Sequence, residues 1–414
     1  MSRPDRLDPL HVAFFASLYA IQGVVIAYFF NYNQLYMGAA GVPIDRIGLV
    51  QTLATIPFSL KFLGGILSDR VDFLGLGHRK PYIVLGLLAQ SAGLVALTVF
   101  HPKTQAIAFL ASAVFAVSGL ALYDTCCDGM VILVTPTPDR ERVQGILVAA
   151  RFLAAMVCSK LFGAWLQKTG NGPGHGDGVL YACAAMALVP LALAALVPEP
   201  TRTKGASFEW AALGALIRPR AVVLLAFGLL YATVGYGVEI NLSPYYTGVC
   251  HFGSDDVGNF AAARYVGRAV GGLLLPLAVL RLGRPAVLAI GVLALAGSSL
   301  GQLAVGGSAS AACWGFAFGA ANGWDDALFA VLAMEASDPR MAASTYALFN
   351  AVGNLSVLGG FAFAKVVERS HGDYGPAFRL ACVAALVALP MTIPLARPAP
   401  KRPSHAEPLD ELLV

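Results

Sequence analysis

The chain has 414 residues, of which 57% are hydrophobic and 13% are charged, and its formal net charge is +4 at pH 7. A soluble globular protein carries about 25% charged residues, so this composition excludes a water-soluble particle of this size, and its hydrophobicity excludes a disordered chain. The small net charge excludes a strongly basic nucleic-acid-binding protein, and seven cysteines in so long a chain exclude a disulfide scaffold.

Twelve apolar runs follow one another along the chain, each long enough for a bilayer-spanning helix of about 20 residues. They cover residues 10–36, 46–67, 81–100, 105–134, 140–165, 178–197, 219–248, 256–280, 285–304, 309–335, 341–367 and 376–396. The runs are longer than the strands of a membrane barrel and do not alternate in hydrophobicity. The predicted fold class is therefore an all-α membrane protein with twelve transmembrane helices.

Basic residues predict the orientation of these spans, because cytoplasmic loops carry an excess of Lys and Arg. With the N-terminus inside, the cytoplasmic segments hold 17 Lys and Arg residues and the outer segments hold 6. An even number of spans also requires both termini on one side. We therefore expect a multi-pass protein of the plasma (inner) membrane with both termini in the cytoplasm.

Similar patterns recur 200–212 residues apart, which indicates an internal repeat. The matching pairs are residues 18–23 with 230–235, Lys61–Gly65 with Arg268–Gly272, and Tyr123-Asp124 with Trp324-Asp325. The repeat predicts two parallel, pseudo-symmetric six-helix halves, 1–197 and 219–396. A polar cytoplasmic linker (198–218) would join them, and a flexible cytoplasmic tail (397–414) would follow.

The connection after the second span carries the motif that points to a superfamily. Residues 64–70 read GGILSDR, and Gly75, Gly77, Arg79 and Lys80 follow. This resembles the major facilitator motif G-x-L-x-D-R followed by G-R-R/K. The resemblance implies a fold in which the substrate binds between the halves near the bilayer midplane. It also implies a cytoplasmic gate formed by Asp69, Arg70, Arg79 and Lys80; the alternative is an ordinary basic turn.

Two subgroup resemblances involve the second, fourth and fifth spans. Lys61-Phe62-Leu63 and Asp124-x-x-x-Asp128-Gly129 are similar to the muropeptide permease, acetyl-CoA transporter and folate–biopterin transporter group. Residues 139–152 are similar to the glycoside–pentoside–hexuronide cation symporters, which implies that Asp124 and Arg151 line the substrate site. Those symporters hold sodium with acids on the second span, but residues 57–61 contain none. A coupling proton is therefore favoured over sodium.

Ionisable side chains within spans are candidate functional groups, because each costs about 2.5–3.5 kcal/mol to insert. Ten such residues lie more than three residues inside the ends of their spans: Lys61, Asp124, Asp128, Arg151, Lys160, Glu239, Arg264, Arg268, Asp325 and Asp326. Their depths predict that Asp124 pairs with Arg151 and that Arg268 pairs with Asp325. The open alternative is that these pairs only hold helices together.

The hypothesis assigns separate roles to these residues. Asp124 and Asp128 share one helix face and would carry the coupling proton, since two carboxylates in a low dielectric readily share one proton. The substrate would contact Lys61, Arg151, Glu239, Arg264, Arg268, Trp324 and Asp325, with an arginine holding an anionic group and Trp324 stacking on a ring.

The predicted function is secondary active transport of a small anionic or zwitterionic organic solute, by alternating access and proton symport. No Walker A sequence or nucleophile–base set indicates an enzyme, and no cofactor, metal or nucleic-acid partner is expected. The expected partners are the solute, the proton and membrane lipids, and we expect a monomer. The alternative is a non-transporting relative, a membrane receptor or a pigment or lipid delivery factor.

Overall fold

The computed structural model describes residues 8–71, 79–135, 139–198, 218–336, 349–351 and 353–397. These ranges form twelve helical spans, which we number α1 to α12. The first six are α1 (Pro9–Ala39), α2 (Ile44–Ser59 and Lys61–Arg70), α3 (Lys80–Val99), α4 (Ala106–Val134), α5 (Arg140–Thr169) and α6 (Asp177–Leu196). The next six are α7 (Pro219–Gly248), α8 (Ser254–Leu282), α9 (Arg284–Gly301), α10 (Ser308–Ala336), α11 (Phe349–Arg369) and α12 (Gly375–Ala396).

The predicted spans coincide with these twelve helices over the described residues, and residues 341–348 of the eleventh predicted span lie outside them. The predicted fold class is confirmed. Ten of the described helices are long and apolar enough to cross a membrane. The other two are α2, which is divided at Leu60, and α10, which carries the adjacent acids Asp325 and Asp326. The predicted linker falls mostly on residues 199–217, outside the described residues, and residues 398–414 of the predicted tail also lie outside them. The division into halves at 198–218 stays a prediction.

Two of the spans in the first predicted half are each divided into two helical segments. α1 is interrupted at Tyr32, and α2 is interrupted at Leu60, three residues after Pro57. Proline lacks a backbone donor, and helices in membranes tolerate it where neighbouring groups compensate. The Leu60 amide instead donates to the Pro57 carbonyl at 3.1 Å, and a new helical segment starts at Lys61. The break therefore places a lysine at the start of a helical segment within the bundle.

α8 and α10 pack with their backbones in direct contact. A Cβ atom on Gly271, Gly319 or Gly323 would overlap the carbonyl oxygen of Ala320, Arg264 or Arg268, respectively. Glycines at helix interfaces in membranes permit this close approach, and van der Waals contact between the helices stabilises the pair. The two helices consequently form one closely packed unit, from which both Arg268 and Asp326 project.

The predicted outer face, where α1 connects to α2 and α7 connects to α8, is sealed at one seam by α2 and α11. A Cβ atom on Gly48 would lie 2.5 Å from the Cβ of Ala364. The Thr52 hydroxyl donates to the Val357 carbonyl at 3.0 Å. These contacts join the predicted halves near the start of α2.

A second seam on the same face joins α5 to α8. The Ser254 amide donates to Gln167 Oε1 at 2.8 Å, and its hydroxyl donates to Asn171 Oδ1 at 2.7 Å. One turn further into the bundle, a Cβ atom on Gly258 would lie 3.3 Å from the Cα of Gly163. The two seams close the bundle toward the predicted outer face, so space between the helices lies on the other side of them.

Candidate substrate-binding cavity

A cavity of about 390 Å³ lies between the predicted halves, within the size range of pockets that bind small molecules. Its wall combines aromatic, amide and charged side chains. The lining residues are Phe30, Arg151, Tyr231, Ala232, Tyr236, Glu239, Arg268, Asn322, Asp326, Phe329, Ala330, Asn350, Gly353, Asn354 and Ser356. Ala330 and Asn350 belong to the ends of α10 and α11 nearest the predicted cytoplasmic face, so the cavity extends toward that face.

One cluster of polar side chains joins α1, α2 and α4. The Lys61 ammonium donates to Asp124 Oδ2 at 3.0 Å, and the Gln22 amide donates to Asp124 Oδ1 at 3.0 Å. The Tyr19 hydroxyl donates to Asp128 Oδ1 at 2.6 Å. Asp124 is buried, and its charge is balanced by a direct ion pair. The two predicted proton carriers therefore have different partners, a lysine in one case and a phenol in the other.

Arg151 contacts this cluster without pairing to either acid. Its Nη1 donates to Gln22 Oε1 at 3.4 Å, and its guanidinium lies 5.6 Å from the centre of the Tyr19 ring and 5.2 Å from that of Phe152. The predicted ion pair between Asp124 and Arg151 is wrong, because Gln22 lies between the two groups and donates to Asp124 itself. Sequence reasoning missed Gln22 because it is uncharged. The repeat offered a signal, since the matching position in the second pattern is the apolar Val234.

A second cluster joins α7, α8 and α10. Arg268 donates through Nη2 at 2.8 Å and Nε at 2.9 Å to Asp326 Oδ2, and its Nη1 lies 3.6 Å from Glu239 Oε2. Arg264 donates to Glu239 Oε1 at 3.1 Å and also to the side chain of Asn31 on α1. Glu239 thus holds two arginines, and one of them reaches across to the first predicted half.

Asp325 and Trp324 face α9 and are not among the residues that line the cavity. The predicted pair between Arg268 and Asp325 is wrong, because successive residues of a helix point about 100° apart and Asp326 is the one that faces α8. Asp325 is fully buried beside Gly291, and no described residue donates a hydrogen bond to either of its carboxylate oxygens. The indole of Trp324 donates to the Val287 carbonyl at 3.1 Å. This packing corrects the prediction that both residues contact the substrate.

The remaining predicted site residues lie at the predicted cytoplasmic end of α2 and α3. Arg79 donates to the Ser68 hydroxyl at 2.9 Å, and Lys80 donates to the Val197 carbonyl at 2.7 Å. Asp69 and Arg70 fall in the last turn of α2, and their side chains lie outside the described part of the chain. The gating role of these four residues stays a prediction.

The two clusters repeat one arrangement. A tyrosine at the same place in the repeated pattern donates to an acid in each half: Tyr19 to Asp128 and Tyr231 to Asp326, the latter at 3.4 Å. Lys61 and Arg268 also occupy matching positions of the repeat, and each pairs with an acid. Lys61 pairs with Asp124, and Arg268 pairs with Asp326. In the parts of the chain that the structure describes, no three His, Cys, Asp or Glu residues are arranged to hold a metal ion.

Comparison with known proteins places these features in a family. The family model described as Major Facilitator Superfamily matches residues 12–361. No curated protein matches the chain in sequence. Among solved structures, the nucleoside transporter NupG is 13% identical with a TM-score of 0.73, and the match covers 95% of this chain and 100% of that chain.

Two further solved structures share the fold. A bacterial homologue of the human lysosomal transporter Spinster, in an inward-facing and unoccupied conformation, is 16% identical with a TM-score of 0.70; the match covers 94% of this chain and 97% of that chain. The peptide transporter POT, in complex with sulfate, is 14% identical with a TM-score of 0.71, over 96% of this chain and 97% of that chain. Identities this low show a common fold and carry nothing about the solute.

Proposed function

The chain belongs to the major facilitator superfamily, whose members are multi-pass membrane proteins and secondary transporters, and we propose that it moves a small anionic or zwitterionic organic solute by proton symport. We place it in the plasma (inner) membrane with both termini in the cytoplasm, as the excess of basic residues on that side predicts. In this orientation the sealed face is outside, and the cavity extends toward the cytoplasm.

The observation that carries this proposal is the set of charged groups from both predicted halves around one cavity. Arg151 comes from α5, and Glu239, Arg268 and Asp326 come from α7, α8 and α10. Charges within a membrane are costly and are retained where they bind ions or polar solutes. A receptor or delivery factor would need neither charges from both halves nor seams of glycine that let the halves meet closely.

Proton coupling is supported by the environment of Asp124. Its carboxylate is buried and is held by Lys61 and Gln22, beside the Arg151 guanidinium that lines the cavity. Protonation removes the negative charge that holds Lys61, so the cluster rearranges when the proton binds. Because Gln22 contacts both Asp124 and Arg151, this rearrangement reaches the cavity wall. Asp128, bonded to Tyr19, is the second proposed proton carrier.

The experiment begins by finding a solute. Thermal-shift screening of the purified chain against muropeptide fragments, pterins, CoA esters, sugars and small acids identifies ligands, since binding to the folded state raises its stability by mass action. Uptake of the best ligand is then measured in proteoliposomes with and without a pH gradient. We expect Asp124→Asn to lose uphill uptake and to keep counterflow exchange.

The matched control is Asp256→Asn, which replaces a carboxylate in the first turn of α8, away from the cavity. This variant should concentrate the solute as the parent chain does. Full concentrative uptake by Asp124→Asn would exclude this residue as a proton carrier. Uptake that is identical with and without the pH gradient in the parent chain would exclude proton symport.

A further inference from the structure

Arg151 has binding capacity that the protein does not use. Among the described residues, no carboxylate oxygen lies within 4.0 Å of its guanidinium. Within the same described ranges, its Nε is buried without an acceptor, and its one hydrogen bond, to Gln22, is long at 3.4 Å. Arginine remains charged in proteins and presents several donors in a planar fork that matches a carboxylate or phosphate. This side of the cavity is therefore complementary to an anion.

The opposite wall of the cavity is complementary to a cation. Asp326 is the most exposed acid of its cluster, with 45% of its side chain accessible, against 6% for Glu239. Among the described residues, its Oδ2 accepts both bonds from Arg268, whereas its Oδ1 receives only the Tyr231 hydroxyl at 3.4 Å. One carboxylate oxygen is thus open to a donor in the cavity.

The amide of Asn354 adds a further acceptor to this wall. Its nitrogen donates to the Phe58 carbonyl at 3.1 Å, and among the described residues its oxygen receives no hydrogen bond. Asn322 also lines the cavity, but its nitrogen donates to the Phe318 carbonyl at 2.9 Å and its oxygen packs against Gly235. An ammonium group carries three donors and no acceptor, so it suits a wall of acceptor oxygens.

We infer that Arg151 and Asp326 are the two poles of one substrate site, and that the substrate is a zwitterion with its anionic group at Arg151 and its cationic group at Asp326. This inference rests on the proposed transport function and narrows its solute class. The poles belong to different predicted halves, on α5 and α10. A solute with both charges can bridge the halves, whereas a purely anionic solute places an unpaired charge near Asp326.

The test uses matched solutes of known charge. The purified full chain is titrated with free amino acids and alanyl dipeptides, and with the N-acetyl and C-amide derivative of each, and apparent affinity is read from thermal stabilisation. We expect at least one zwitterion to stabilise the protein. Removing either of its charges should weaken apparent affinity by about tenfold or more, as is typical of hydrogen bonds between charged groups.

Two variants assign the poles. Asp326→Asn should bring the ratio of the apparent affinities for the zwitterion and its N-acetyl derivative close to one. In this variant Arg268 loses a counter-ion and the cationic group of the zwitterion loses its partner. Arg151→Gln should weaken binding of both solutes about tenfold or more. Lys160→Gln is the matched control: it removes an exposed cation from α5 that does not line the cavity, and it should change neither value. A ratio of affinities does not depend on how much of a variant folds.

The inference is overturned if no zwitterion of the panel binds, if the N-acetyl derivatives bind as tightly as their parents, or if Asp326→Asn keeps the full preference. The proposed transport function fails separately. If a zwitterion binds with the expected preference but is neither taken up nor exchanged by proteoliposomes, transport is wrong and the two-pole site stands. If an anion from the screen is concentrated by a pH gradient, transport stands and the zwitterion is wrong.

Discussion

The charged side chains of this protein differ mainly in how far water reaches them. The side chains of Glu239 and Arg264 are 6% and 4% exposed, whereas those of Glu335 and Arg284 are 36% and 22% exposed. A surface ion pair contributes about 0–1 kcal/mol, because water and salt screen it. A buried pair adds little net stability when intact, but losing one partner leaves an uncompensated charge that costs about 3–5 kcal/mol.

The first prediction compares these two acids. Glu239→Gln should lower the free energy of unfolding by about 3 kcal/mol or more, because two arginines lose their shared counter-ion. Glu335→Gln, the control, should lower it by less than about 1 kcal/mol. Denaturant unfolding in detergent measures both values. Equal losses would mean that water reaches Glu239 far more freely than its burial indicates.

The second prediction concerns Asp325, whose buried carboxylate has no hydrogen-bond partner in the described part of the chain. Asparagine has nearly the same shape and cannot ionise, so Asp325→Asn should change the free energy of unfolding by less than about 1 kcal/mol and leave uptake intact. Asp325→Leu places a larger side chain in the space beside Gly291, and this overpacking should destabilise the protein by about 1–3 kcal/mol. Thermal unfolding and solute uptake check both. Loss of uptake in Asp325→Asn would restore the role that the sequence suggested.

At the scale of helices, the sequence predicts depth much better than direction. Run lengths locate all twelve spans, and counting from the loops correctly places Arg268 and the two adjacent acids near one level. The count cannot show which of Asp325 and Asp326 faces α8, because this depends on how α10 is rotated against its neighbours. The same limit explains why the count of residues paired Asp124 with Arg151, whereas its partner in the structure is Lys61. A pattern of charges also omits neutral groups such as Gln22.

The third prediction concerns the seam between α5 and α8. A Cβ atom on Gly258 would lie 2.5 Å from the Ser159 carbonyl, so Gly258→Val cannot close as the parent chain does. Overpacking costs about 1–3 kcal/mol, which shifts the balance between closed and open outer faces by roughly 5- to 150-fold. Spin labels at the exposed loop positions His175 and His251, in a cysteine-depleted chain, should move apart.

Gly297→Val is the control for this seam, because a Cβ atom on Gly297 of α9 would meet nothing within 4 Å. The distance between the two labels should be unchanged in this variant. An unchanged distance in Gly258→Val as well would show that the seam tolerates a side chain, and that these glycines do not determine which face is closed.

At the scale of the whole molecule, the repeat accounts for the similar clusters on the two sides of the cavity. Matching tyrosines and matching bases hold acids on α4 and α10, and the sequence repeat predicts the equivalence of these tyrosines and bases. It does not predict the equivalence of the acids, because it matches Asp124 with Asp325, whereas Arg268 pairs with Asp326. The halves differ where they meet the cavity, since Arg151 has no counter-ion among the described residues and Arg268 has two. This asymmetry depends on side-chain placement, which the repeat alone does not predict.

The fourth prediction tests the orientation of the molecule. A cysteine in place of His251, which is exposed between α7 and α8, should react in intact cells with a membrane-impermeant maleimide. A cysteine in place of Val71, which is 45% exposed after α2, should react only after the cells are permeabilised. The reverse pattern would place the termini outside and contradict the count of basic residues.

The contact between α8 and α10 has a mechanical consequence. Two helices whose backbones touch at three glycines bend and rotate together, as a single stiff beam. Arg268 and Asp326 both project from this beam, so their ion pair travels as a unit while the molecule changes shape. The pair therefore does not have to break when the two helices move together.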